Sequence, residues 1–304
     1  LVQVVTGDDG GVRFSMLETI REFAAERLHE RGACEAVAQA HAKGFVGFIE
    51  RIEHAGVAAN TPAWVAKIVS DHDNLRAALR FFLDTDQGEQ AIRLGTALHN
   101  FWYWRDYERE SQRWLEEIVA RTTHIRSLER ARIIGKVGVM AAVRGELDTA
   151  TAMYEQALQI ADEFPLSPLH PALRNALGVV LCRQGDYARA VAVLEAALAM
   201  ARQLGDPPAI GSATNTLAGA LADQGQEVDR AVALFEESCT LMRSHGQRFH
   251  EAQALCGLGN LLTLTGSYAR AAQVLEAALR LQQELKANVA ITWARQFLRT
   301  LAYL

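Results

Sequence analysis

Four glutamates, Glu155, Glu195, Glu236 and Glu276, recur at equivalent places along the chain, and carboxylates are common agents of general acid–base chemistry. An acid–base pair needs two unlike environments at one spot, and periodic placement does not supply them. A residue repeated in every unit reads as structural, on the solvated edge of a helix. The nine histidines contain no HxxxH or HExxH spacing, so His72, His99 and His170 are expected to be partly packed or exposed, not metal-bound. No GxSxG nucleophile elbow and no GxxxxGK[ST] phosphate loop is present. Cys182 and Cys256 lie on helical stretches and read as inert thiols. Neither catalysis nor a cofactor is expected of this chain.

Two other sets of side chains offer chemistry of a different kind. Phe101, Trp102, Tyr103, Trp104 and Trp114 form the densest aromatic cluster. It fits a stacking site for a ligand ring or a hydrophobic cap between a helical bundle and a regular array; the area such rings bury favours the cap. The second set is a stripe of small and amide side chains on one helical face, Ala172, Asn175, Val179 and Cys182. Its equivalents are Arg93, Thr96, Asn100 and Tyr103, then Arg132, Gly135, Val139 and Ala142, then Ser212, Asn215, Gly219 and Ala222, then Gln253, Cys256, Asn260 and Thr263. Only Arg93 and Arg132 in this set carry charge.

These positions are equivalent because the elements that hold them repeat. Gly185–Leu198, GDYARAVAVLEAAL, matches Gly266–Leu279, GSYARAAQVLEAAL, at eleven of fourteen positions. Gly145, Gly185, Gly225 and Gly266 stand 40, 40 and 41 residues apart, a period that marks a solenoid in which each unit buries its apolar face against its neighbours. Leu173, Ala176, Leu177, Val180 and Leu181 fall at helical spacing before Gly185, and the same offsets recur before Gly225, Gly266 and Asp106. The second helix of each unit carries Ala190, Leu194, Ala197 and Leu198 or their equivalents. Gly185, Gly225 and Gly266 are expected to stop helices in a left-handed conformation, and Asp148, Asp186 and Ser267 to cap the helices that follow. Asp206-Pro207 reads as a cap with proline at the first helical position, while Pro165, Pro168 and Pro171 break another connection.

The N-terminal stretch differs. Val2–Val5 and Val12–Ser15 flank a glycine- and aspartate-rich turn, and from Met16 the period becomes helical, with Gly32 as a stop. A lone hairpin is marginal in water, so it is expected to belong to a larger unit of which this chain is a part. A net charge of −5 and a pI near 6.0 lack the basic face of a nucleic-acid binder. No apolar run approaches ~18 residues, so no membrane span is expected. Four scattered cysteines fit a reducing cytoplasm.

Gly178…Gly185-Asp-Tyr187…Ala190…Ala197 and Gly259…Gly266-Ser-Tyr268…Ala271…Ala278 resemble the tetratricopeptide repeat, over residues 131–304. Arg13–Leu28, RFSMLETIREFAAERL, resembles the wing strand and following helix of bacterial STAND-type regulatory ATPases. Asp71–Leu83, DHDNLRAALRFFL, looks like the helix in the linker beyond that unit. Phe101–Val119 is similar to the entry into their tetratricopeptide sensor, with Asp106 in place of glycine. The resemblance implies an upstream nucleotide-binding module and an output module elsewhere, as in AfsR-like and LuxR-type transcriptional regulators. It also implies that the amide stripe lines a concave groove.

The expected architecture is therefore an all-α tetratricopeptide-repeat α-solenoid with a short N-terminal β-hairpin. Residues 1–31 would be the tail of a winged-helix unit, 32–125 a helical linker bundle with a divergent first repeat, and 126–304 the array. The expected role is a cytoplasmic, non-catalytic sensor in which Arg93, Asn100, Tyr103, Arg132, Asn175, Ser212, Asn215, Gln253, Asn260 and Thr263 line the groove. Amides and hydroxyls there suit a peptide backbone or a small uncharged inducer better than an acidic tail, which would want several Lys or Arg. A second reading is that Asn175 and Asn215 bond to neighbouring helices and order the stack. At the scale of the chain, the alternative to a sensor that packs on its nucleotide-binding module is a constitutive protein–protein scaffold; no direct nucleic-acid or membrane contact is expected of either.

Overall fold

The computed structural model describes residues 2–6, 12–54, 62–104, 107–225 and 227–285, with the side chains at 5–6, 12–15, 50–54, 62–67, 100 and 103–104 outside the description. Asp106, the turn at 7–11 and the terminal segment 289–304 therefore lie outside the described residues. Two strands and thirteen helices are found among the rest, in the expected class: a helical solenoid behind an N-terminal hairpin. The chain divides into two compact units, Leu1–Val137 and Gly138–Leu304.

In the first unit, β1 (Val2–Thr6) and β2 (Val12–Met16) pair antiparallel, with Val2 opposite Met16. The following helix, α1 (Glu18–Glu30), buries none of its side chains, and Leu17 and Phe23 beside and on it are 63% and 57% exposed. Then come α2 (Cys34–His54), α3 (Pro62–Asp84), α4 (Gly88–Trp104) and α5 (Glu108–Arg121), packed α2 on α3, α3 on α4 and α4 on α5. Their core holds Leu75, Leu79, Phe82, Ile92, Leu98, Phe101 and Trp102. Phe101, Trp102 and Trp114 are all buried, and the Trp102 indole Nε1–H donates to His72 Nε2 at 3.1 Å. His72 thus accepts at the nitrogen that faces Glu110 Oε1 (3.5 Å), and burial lowers its pKa further. Glu110 is served instead by Arg76, whose Nε donates at 2.6 Å. The division between units falls within α6 (Leu128–Arg144).

In the second unit the repeat is plain: α7 (Leu147–Ala161), α8 (Leu169–Gln184), α9 (Tyr187–Leu204), α10 (Pro207–Gln224), α11 (Val228–Ser244), α12 (Arg248–Leu264) and α13 (Tyr268–Glu284). Each helix packs on the next, and α10 also touches α8 and α12, so the first helices of successive pairs form a row. Leu173, Leu177, Val180 and Leu181 are buried, as are Leu217, Leu221, Leu258, Leu261 and Leu262 at equivalent places. The expected partners on the second helices, Ala190, Leu194, Ala197 and Leu198, are buried with them.

The small residue seven positions before each glycine stop has a steric cause. A Cβ on Gly178 would lie 2.5 Å from the Leu194 side chain, and one on Gly259 equally close to Leu275. The stops themselves take φ of +80° at Gly185 and +71° at Gly225, a region that costs other residues roughly 1–2 kcal/mol. Two of the expected caps behave as read: Asp186 accepts from Arg189 N, and Asp206 accepts from Ala209 N with proline next to it. Two differ. Ser267 occupies the cap position but its hydroxyl accepts no capping bond. Asp148 lies inside the first turn of α7, where Glu146 holds the cap position; its carboxylate accepts instead from Gln184 Nε2 at 2.8 Å, tying α7 to α8. Pro168 stands at the cap of α8, and Pro171 falls within the first turn instead of the connection.

The recurring glutamates sit on second-helix edges, where three of the four meet an arginine of the following pair and Glu276 meets Arg280 of its own helix. Arg230 reaches Glu195 at 2.7 Å, Arg189 pairs with Glu155, and Arg270 with Glu236. Exposed pairs of this kind are worth ~0–1 kcal/mol each.

Candidate ligand pocket of the repeat array

A pocket of about 870 Å³ opens in the second unit, walled by α8, α10, α11, α12 and α13. Three consecutive helix pairs therefore build it. The row of first helices positions its amides: Asn175 on α8 and Asn215 on α10 are 40 residues apart and fall at the same place in their helices.

Five of the ten residues expected to face a ligand meet here: Asn175, Ser212, Asn215, Gln253 and Asn260. Thr263 does not line the pocket; it is buried, and its hydroxyl donates to Gly259 O at 2.8 Å within its own helix. Arg93 and Arg132 are exposed in the first unit and do not line it either. Asn100 and Tyr103 belong to α4, but their side chains lie outside the described residues.

The polar atoms of the pocket are unevenly satisfied. Asn175 Nδ2 donates to Ser212 Oγ at 3.3 Å, a bond between successive first helices of the kind a stack-ordering role requires. Ser238 Oγ donates to Gly211 O at 2.8 Å, and Gln282 Nε2 contacts Cys256 Sγ at 3.2 Å. Asn175 Oδ1, Asn215 Oδ1 and Gln282 Oε1, all shielded from solvent, have no partner. An unmet buried acceptor costs about 1–3 kcal/mol, and three of them belong to residues of this wall.

Gln282 lies on a second helix, outside the first-helix stripe, yet its signal is in the repeat. Counting from the glycine stops, and allowing for the one residue inserted after Gly225, Ala161, Ala201 and Met242 hold its place in earlier pairs, all buried and apolar. An amide in an apolar column is the anomaly that points to the pocket. Phe235, Met242 and Phe249, from α11 and the start of α12, supply the apolar part of the wall; Phe249 is 48% exposed. The thiols of Cys182 and Cys256 also line it, and burial pushes them up, Cys182 to about 11, so both stay protonated and weakly reactive at neutral pH.

The histidines weighed as ligands do other work. His170 is buried and its Nε2 donates to Ala161 O at 2.8 Å while Nδ1 accepts from Ser167 N at 3.1 Å, so it ties α8 to the end of α7. His72 and His170 are more deeply buried than expected. Among the described residues, no group of three or more His, Cys, Asp or Glu side chains could hold a metal ion, and no helix is long and apolar enough to cross a membrane.

Comparison with known proteins agrees with this geometry. Residues 129–203, 176–244 and 252–285 match family models described as tetratricopeptide repeat. Two curated proteins, named "Putative HTH-type transcriptional regulator Rv0890c" in Mycobacterium tuberculosis and "Putative HTH-type transcriptional regulator Mb0914c" in Mycobacterium bovis, are each 28% identical to the chain over 281 residues. The match takes in 88% of this chain and 27% of the relative, so the chain spans about a quarter of the length of these proteins. Among solved structures, a Rap protein complexed with competence and sporulation factor superposes with a TM-score of 0.61 at 15% identity, over 90% of this chain and 80% of that one. BtubC from P. vanneervenii does so with a TM-score of 0.59 at 19% identity, over 73% and 91%. These two likenesses are of fold. On the repeat matches and the stacked helix pairs together, the chain carries tetratricopeptide repeats, arranged as an α-solenoid.

Proposed function

We propose that the repeat array is the ligand-binding sensor region of a STAND-type transcriptional regulator, and that the pocket between α8 and α13 is its binding site. The observation that carries this is the set of three buried, partnerless amide oxygens, Asn175 Oδ1, Asn215 Oδ1 and Gln282 Oε1, in one pocket wall. A wall built only to order the stack would satisfy its own acceptors. Turned towards the pocket, these amides would accept from the polar donors of a peptide or a small inducer. The names of the curated relatives and the share of their length that this chain spans support placing it in a regulator. The exposed apolar face of the N-terminal hairpin and α1 fits a segment that packs on a nucleotide-binding module of a longer cytoplasmic protein. Binding would act by favouring one packing of the array against that module, which requires different affinities for two states.

Asn215 gives the cleanest test. Its side chain makes no hydrogen bond among the described residues, whereas Asn175 bonds Ser212. Thermal-shift screening against peptides and metabolites should yield a ligand that raises the melting temperature, since a ligand bound only to the native state stabilises it. Asn215→Ala should then weaken that ligand about tenfold or more with little change in the unliganded melting temperature. Loss of stability with unchanged affinity would instead assign the amides to stack ordering and leave a constitutive scaffold.

A further inference from the structure

Arg183 and Asp223 hold the same place in successive pairs, two residues before the stops at Gly185 and Gly225, and both line the pocket. They do not pair with each other. Arg183 Nη1 donates to Ala142 O at 2.6 Å, and the Asp223 carboxylate has neither an ion pair nor a hydrogen bond among the described residues. It is exposed, whereas the more buried carboxylates of the chain are paired. Glu110 is bound by Arg76, Glu117 by Arg80 and Glu251 by Arg243.

Asp223 is exposed at the pocket surface, but its charge is felt inside. Partial burial raises its own pKa, and its charge adds to the upward push on the Cys182 thiol. The other ionisable side chains on the wall are Cys256 and the exposed His250. The buried lining atoms without a partner are all acceptors, and the buried amide of Gln282, 1% exposed, is among them. An unpaired carboxylate, with the one arginine of the wall turned to a backbone carbonyl, three amides with unmet oxygens and an apolar floor of Phe235 and Met242 describe one kind of guest.

We infer that the pocket takes a ligand with a single cationic head, an ammonium or a guanidinium, on an apolar body. The cation pairs with Asp223, the remaining N–H donors go to amide oxygens that turn towards the guest, and the body lies on Phe235, Met242 and the exposed ring of Phe249. This rests on the reading of the pocket as a binding site and goes beyond it in charge: the uncharged inducer expected from the first-helix stripe alone left Asp223 and Gln282 out. Desolvation of the carboxylate by the ligand makes the pair stronger than an exposed ion pair in water.

The test uses one tripeptide body, Phe-Ala-Phe, in three charge states on the whole chain at pH 7 and low salt. The C-terminal amide with a free amine is the cation, its N-acetyl form is neutral, and the N-acetyl free acid is the anion. Calorimetric titration should rank cation over neutral by about tenfold, and neutral over anion. Asp223→Asn should erase the advantage of the cation, as should ~0.5 M salt in part, with circular dichroism and melting temperature retained. Equal affinity of the cationic and neutral forms, an advantage that survives Asp223→Asn, or no binding of the cation overturns the inference. The binding-site reading is judged separately: it stands if a screened neutral ligand still depends on Asn215, and falls with the inference if that dependence is also absent.

Discussion

Burial holds His99 neutral. Its pKa is depressed to about 4 by desolvation, with the Lys136 ammonium adding a smaller push in the same direction, and its Nδ1 is buried without a partner. Lys136 is itself lowered to about 8 by burial and by Arg132. The folded state therefore binds fewer protons at both sites than the unfolded chain does. For His99, the stability from a neutral ring is complete above an unfolded value near 6.5 and is lost as pH falls towards 4. The loss should be about 1–2 kcal/mol, allowing for the part of the ring that water still screens. Urea unfolding followed by tryptophan fluorescence reports mainly on the first unit, which holds four of the five tryptophans, among them buried Trp102 and Trp114. Its midpoint should drop between pH 7 and pH 5, and His99→Leu should flatten that drop. An equal drop in the variant would place the acid sensitivity elsewhere, with His72 the next group to replace.

The repeating helix pair is the element in which sequence and structure agree best, because its rules are steric and local. Glycine at 178 and 259 is fixed by a leucine sixteen residues on, at 194 and 275. Period, stops and apolar columns all follow from residues that meet only their neighbours. Caps were less legible, since a short polar residue near a helix start has several places to bond; Asp148 took Gln184 across the repeat instead of its own backbone. The pocket was legible where it uses the first-helix stripe and illegible where it draws on α11 and α13, because only the stacking of pairs brings Phe235 and Gln282 to it. Gly178→Ala tests the steric rule. A Cβ there gains about 1 kcal/mol of helix propensity but strikes the buried Leu194 side chain, an overpacking cost of about 1–3 kcal/mol. The net result should be destabilisation by up to about 2 kcal/mol in denaturant unfolding, relieved by the double variant with Leu194→Ala at the level of the clash. Gly219→Ala is the control: the same change on α10 meets nothing within 4 Å and should be neutral or stabilising.

At the scale of the array, stability is a sum of helix pairs and the interfaces between neighbours, so one pair can open while others stay folded. α12 packs between α11 and α13 in a cluster that holds Cys239, Ala252, Leu255 and Leu281. Amides of this pair should exchange with solvent through its local opening, below the free energy of global unfolding. The pocket couples such openings, because its walls come from α8, α10, α11, α12 and α13 together. A ligand seated in it bonds three pairs at once and cannot stay bound while α13 is open. Occupancy at a hundred times the dissociation constant should add about 2.7 kcal/mol to every opening that disrupts the site. Hydrogen exchange should therefore show protection rising throughout α12 and α13, including backbone that touches no ligand. Protection confined to the residues in contact would mean that the pairs open independently of the pocket. In that case the array would bind without coupling its repeats, and a sensor that acts by changing how the array packs would have lost its physical basis.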